Sequence, residues 1–122
     1  MRWLLDTNAV LYFLDGRLAA PLPAGEYFLS VISEMELLSF PALDDVGEAN
    51  IRSFLANVSV VGLTRQIKEA AILMRRQTGL RLPDAIVAAT AVVLNLELLT
   101  NDHKLLQTPG LCATSLPLKQ SN

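Results

Sequence analysis

Residues 82–94 read Leu82-Pro83-Asp84-Ala85-Ile86-Val87-Ala88-Ala89-Thr90-Ala91-Val92-Val93-Leu94. From Ala85 onward only Thr90 interrupts the apolar residues, so a helix here has almost no polar face and belongs inside a fold. It is too short for a membrane span, which takes about 20 apolar residues. Pro83 suits the first helical turn, where its missing N–H has no partner to lose. A strand from Leu98 to Thr100 follows. The buried helix therefore connects strands that it must itself cover.

Read outward, strands and helices alternate. Arg2 to Leu5 forms a first strand, and Asp6-Thr7-Asn8 starts a helix over Ala9 to Leu14 that ends near Gly16. Tyr27 to Val31, aromatic and β-branched, is a second strand. Ser33 to Ser39 is a helix broken by Pro41, and Asp44 or Asp45 caps another with Val46, Ile51, Phe54 and Leu55 as its apolar stripe. Val58 to Val61 is a third strand. Thr64 caps a long helix whose buried face is Ile67, Ala70, Ala71 and Met74, and Gly79 stops it. After the buried helix and the strand at Leu98 come a short helix from Asp102 to Leu106 and a possible fifth strand from Leu111 to Thr114. This order predicts an α/β fold of three layers, with a central, mostly parallel sheet of four to five strands between helices. Chemistry in such sheets gathers beyond the carboxyl ends of the strands.

The 122 residues allow one domain, 1–122. With 52% hydrophobic and 18% charged residues the chain is neither disordered nor of low complexity. Its single cysteine, Cys112, excludes an internal disulfide and points to a reducing, cytoplasmic setting. Asp6 and Asn8 interrupt the N-terminus too early for a signal peptide, and no membrane association is expected. A net charge of −2 argues against holding nucleic acid by bulk charge, but not against a local basic patch. Arg65, Lys68, Arg75 and Arg76 share one face of the long helix, with Arg81 just beyond. Such a face is either merely solvated or grips phosphates.

Four acids stand out by position. Asp6 follows Trp3-Leu4-Leu5, Glu36 comes just after the second strand, Asp84 opens the buried helix, and Asp102 follows Leu98-Leu99-Thr100-Asn101. In a parallel sheet the ends carrying Asp6, Glu36 and Asp102 point to one edge, and the buried helix brings Asp84 to them. Each has an ordinary reading as well. Asp6 and Asp102 fit N-caps, Ser33-x-x-Glu36 fits a capping box, and Asp84 complements a helix dipole. Together they repel. Two like charges about 4 Å apart cost roughly 4 kcal/mol at an effective dielectric near 20. Raised pKa values or a divalent cation relieve this, and ligands that are all oxygen suit Mg²⁺ or Mn²⁺. Glu36 is preferred to Glu34 because Leu37-Leu38 fixes its turn against the core. Thr7, Asn8, Thr100 and Asn101 are supporting polar residues, each equally at home as a cap or turn residue. His103, the sole histidine, is expected to be exposed on the short helix.

With these segments assembled, the chain resembles the PIN domains, and among them the VapC-type ribonuclease toxins of toxin–antitoxin pairs. The resemblance is carried by Leu4-Leu5-Asp6-Thr7-Asn8, Ser30-Val31-Ile32-Ser33-Glu34-Met35-Glu36-Leu37-Leu38, Leu82-Pro83-Asp84-Ala85-Ile86-Val87-Ala88-Ala89-Thr90-Ala91 and Leu98-Leu99-Thr100-Asn101-Asp102. It implies RNA hydrolysis with Mg²⁺ or Mn²⁺. Asp6, Asp84 and Asp102 would hold the metal, and Glu36 a second ion or the attacking water. Thr7 or Asn8 and Thr100 match small polar residues beside the acids. It also implies a cognate antitoxin and a homodimer. His103-Lys104-Leu105 departs from the charged-then-aromatic pattern usual after the last acid. One rival is a binding module of the same fold without turnover. Another, a Mg²⁺-binding receiver domain, needs an acidic pair after the first strand and an aspartate after the third, and Val58 to Gly62 has none.

Overall fold

In the computed structural model, residues 1–120 are described, so the last two positions of the expected 1–122 domain lie outside the described residues. The elements run β1 (Arg2–Leu5), α1 (Thr7–Leu14), β2 (Glu26–Ser30), α2 (Val31–Leu38), α3 (Asp45–Leu55), β3 (Ser59–Val61), α4 (Arg65–Thr78), α5 (Leu82–Leu94), β4 (Glu97–Leu99), α6 (His103–Leu106) and β5 (Ala113–Thr114). All five strands are parallel, in the order β3-β2-β1-β4-β5. The α/β fold of three layers is thus observed, with every pair of the sheet parallel.

Alternation along the strands builds the layers. Leu4 and Leu98 face one side, where Ile67 and Ala71 of α4, the core of α5 and Leu105 of α6 cover them. Trp3, Leu5, Leu29 and Leu99 face the other, against Ala9 and Val10 of α1, Leu37 of α2 and Ile51 of α3. The period of two puts neighbouring residues of one strand into separate cores. Helix α5 is buried continuously from Ala85 to Ala91. Thr90, its one polar residue there, donates its hydroxyl to the Ile86 carbonyl at 2.7 Å and so leaves no unpaired group. Helix α4 packs Ile67 and Ala71 inward and ends at Gly79, whose φ of 71° supplies the left-handed cap.

Several expected boundaries move: β3 starts at Ser59 rather than Val58, and β4 runs Glu97–Leu99 rather than Leu98 to Thr100. The second strand stops at Ser30, not Val31, and α2 begins at Val31 rather than Ser33. The cause is Ser30, whose Oγ accepts the Ile32 N–H at 3.2 Å and caps α2. Ser33 is therefore inside the helix, and the capping box Ser33-x-x-Glu36 does not form. The fifth strand is confined to Ala113–Thr114.

The chain leaves β1 towards β2 and β3 on one side, then returns across β1 to β4 and β5 on the other. Strands β1 and β4 thus flank the point where the winding reverses, and a crevice opens there at their carboxyl ends. No helix among the described residues is long and apolar enough to cross a membrane.

Candidate active site

A cleft of about 300 Å³ lies at this edge, lined by Asp6, Glu36, Asp84 and Asp102 together with Thr7, Asn8, Phe40, Arg81, Pro83 and Val87. All four acids singled out in the sequence are in it, and Glu34 is not. They come from four separate parts of the fold.

Asp6 directly follows β1 and is buried. It caps α1, its Oδ1 accepting the Ala9 N–H at 2.8 Å. Its Oδ2 accepts the hydroxyl of Thr100, which is fully buried. The same hydroxyl accepts the Asp102 N–H at 3.0 Å. Thr100 therefore joins the ends of β1 and β4. Asp102 caps α6, its Oδ1 accepting from Lys104 N at 2.8 Å and Leu105 N at 3.3 Å, which leaves Oδ2 uncommitted. The ordinary reading of Asp6 and Asp102 as N-caps is correct, and it is also what aims them at the cleft.

Asp84 sits in the first turn of α5, half-buried, and among the described residues no hydrogen bond holds its carboxylate. Glu36 is placed differently from the expectation: it lies well inside α2, not just after β2. It reaches the cleft because that turn of the helix faces α1, where Thr7 donates its hydroxyl to Glu36 Oε1 at 2.7 Å. Asn101 does not join the site. Its amide donates to the Leu116 carbonyl at 3.0 Å and accepts the Leu116 N–H at 2.7 Å, so both ends clamp the C-terminal segment. His103 is exposed, as expected. Phe40 and the role of Arg81 were not singled out from sequence. The pattern Arg81-Leu82-Pro83-Asp84 carried a signal for Arg81, since a residue three before a helix-opening acid shares its end of the helix.

Electrostatics register the crowding. Burial pushes the Asp6 carboxyl above its ordinary value; the hydrogen bonds from Thr100 and Ala9 pull it back, and Asp102 and Asp84 raise it further. Asp84 is raised by burial first and then by Asp102, with Arg81 opposing and Glu36 adding to the rise. The positive ends of α1, α5 and α6 offset part of this repulsion. Among the described residues no three His, Cys, Asp or Glu side chains close round a single point as a ready chelate. Mg²⁺ does not require one: it keeps several waters and takes one or two carboxylates directly. A cleft with oxygen donors only, one carboxylate free of hydrogen bonds and a second with a free oxygen fits such an ion.

Comparison with known proteins agrees with this architecture. The family model described as PIN domain matches residues 3–111. A toxin–antitoxin complex from Klebsiella pneumoniae contains a chain 29% identical, with a TM-score of 0.77 over 88% of this chain and 93% of that one. VapBC2 from Rickettsia felis, bound to a DNA fragment from its promoter, is 17% identical with a TM-score of 0.79, covering 94% and 98%. DNA-bound VapBC from Salmonella typhimurium is 19% identical with a TM-score of 0.78 over the same shares. No curated protein matches the chain.

Proposed function

The chain belongs to the PIN domain family, and on that premise we propose that it is a metal-dependent ribonuclease, the toxin of a toxin–antitoxin pair. The observation that carries this is the convergence of Asp6, Glu36, Asp84 and Asp102 in one cleft at the reversal of the sheet. The likeness to a chain of the Klebsiella toxin–antitoxin complex supports the biological role. A cognate antitoxin, a homodimer and a cytoplasmic setting belong to the same proposal.

Asp6, Asp84 and Asp102 are the residues to hold Mg²⁺ or Mn²⁺, and Glu36 a second ion or the hydrolytic water. Bound there, such an ion supplies positive charge to a phosphodiester and makes water more acidic. The chain's own groups prepare the rest. Thr100 orients the Asp6 carboxylate and holds the Asp102 backbone beside it. Thr7 fixes one oxygen of Glu36, whose side chain lines the cleft. Asn8 offers an exposed amide, and Arg81 a guanidinium, to phosphate oxygens.

The test is cleavage of a single-stranded RNA in Mg²⁺ or Mn²⁺, with EDTA as control. Wild type cleaves only with metal, and Asp84→Asn keeps its fold but loses cleavage. A folded Asp84→Asn protein with undiminished metal-dependent activity overturns the proposal. A second reading is a binding module of the same fold without turnover. It requires that wild type show neither EDTA-sensitive cleavage nor any bound divalent cation on titration.

A further inference from the structure

Half of the chain's basic residues, five of ten, lie between positions 65 and 81, where Glu69 is the single acid. At 100° per residue, Arg65, Lys68, Arg75 and Arg76 fall on one side of α4 around Ile72, and all five are exposed. From Arg65 to Arg76 this side extends about 16 Å. Where α4 turns into α5 it opens into a hollow of about 480 Å³ lined chiefly by Ile72, Arg75, Arg76, Leu80, Arg81 and Leu82. Its floor is apolar, although Ile72 and Leu82 are 48% and 49% exposed. Its rim carries three guanidinium groups. Among the described residues the sole ion pair is Arg52–Glu48 on α3, so Arg75 and Arg76 carry no ion-pair partner, while Arg81 lies near enough to Asp84 to lower its carboxyl pKa. Arg81 lines this hollow and the acidic cleft alike.

We propose that the α4 face and the α4–α5 corner are the track along which a single strand of RNA reaches the carboxylates, with Arg75 and Arg76 on its phosphates and Arg81 passing it into the cleft. The inference rests on the nuclease reading and adds the path of the substrate. A cleft of four acids repels a polyanion, so the strand needs cationic purchase next to it rather than inside it. Guanidinium groups bind phosphates bidentately and stack on bases, and the apolar floor accepts a base face. The length of the cationic side matches about four to five stacked nucleotides. Exposed apolar residues alone suit a protein partner equally. The unpaired charge of Arg75 and Arg76 and the continuity through Arg81 favour the polyanion.

The experiment uses the full chain, a labelled 12-nucleotide single-stranded RNA of mixed sequence, and a trinucleotide too short to span both hollow and cleft. Binding is followed in EDTA, cleavage in Mn²⁺. In Arg75→Gln/Arg76→Gln, with an unchanged melting temperature, 12-mer binding weakens about tenfold and the log–log salt slope falls by about 1.4, or 0.7 for each phosphate no longer neutralised. The loss appears in KM rather than kcat, the preference for 12-mer over trinucleotide shrinks by the same factor, and Arg75→Lys/Arg76→Lys restores most of it. If wild type cleaves RNA and the Gln double variant handles the 12-mer as wild type does, the track is wrong and the nuclease reading stands. If wild type cleaves no RNA, both fall. A double variant with normal RNA binding that loses self-association, or loses binding to a hexaglutamate peptide, assigns the face to protein and overturns the track.

Discussion

At the residue scale, Thr100 does most to join the two halves of the cleft. Its hydroxyl donates to the Asp6 carboxylate and accepts the Asp102 N–H, in a place without exposure. Thr100→Val leaves a carboxylate oxygen and a backbone N–H unpartnered, and a hydrogen bond to a charged group is worth about 1.5–3 kcal/mol. Urea denaturation is expected to show a loss of that size, and Thr100→Ser a smaller one. Ser33 is the opposite case: fully buried, with its hydroxyl lacking a partner among the described residues. Ser33→Ala is expected to raise stability by about 1 kcal/mol, read in the same titration, because an unmet buried donor is removed. The acids were legible in sequence because carboxylates beside apolar runs are conspicuous. The displacement of Asn101 was not, since its partner Leu116 lies fifteen positions further on and nothing local announces the pairing.

At the scale of elements, periodicity was enough for most of the architecture. β1 begins and ends where the run Arg2 to Leu5 does, and α4 and α5 follow their stripe and their continuous apolar character. The misplaced start of α2 has a specific origin: Val31 and Ile32 favour strands by their branching, yet they enter a helix because Ser30 caps it. Glu36 was accordingly expected at a helix start and found inside one. The approach to β2 depends on Gly25. Its φ is 146°, and an added Cβ would come within 2.8 Å of Trp3 Nε1 and closer still to the Met1 carbonyl oxygen. The chain there is pinned by Glu26 N donating to Met1 O at 3.0 Å and Trp3 Nε1 donating to Ala24 O at 3.1 Å. Gly25→Ala is expected to lower stability by about 3 kcal/mol, from backbone strain plus a clash that neither backbone can relieve. A thermal melt within a degree of wild type would show that the loop adapts.

At the scale of the molecule, the crowded acids are expected to make the fold sensitive to pH and, on the proposed reading, to divalent cations. Asp6 and Asp84 both hold a proton more tightly folded than unfolded. Between the ordinary value of 3.8 and the raised ones, the folded chain binds more protons, so these groups make stability fall as pH rises. In EDTA, the melting temperature of wild type is expected to decline relative to Asp84→Asn as pH rises from the ordinary carboxyl value of 3.8 through the raised one. At neutral pH, Mn²⁺ is expected to stabilise wild type, by about 2.7 kcal/mol at a hundred times its Kd, and Asp84→Asn much less. Equal melting curves with and without Mn²⁺ would leave the cleft without a resident ion.

The hydroxyl bridge at Thr100 links positions 94 apart along the chain. Asp6 is translated well before Asp102, so no growing polypeptide owns an assembled cleft until β4 has slotted in beside β1. On the proposed nuclease reading, a chain abandoned before that strand is made carries no complete site and cuts nothing.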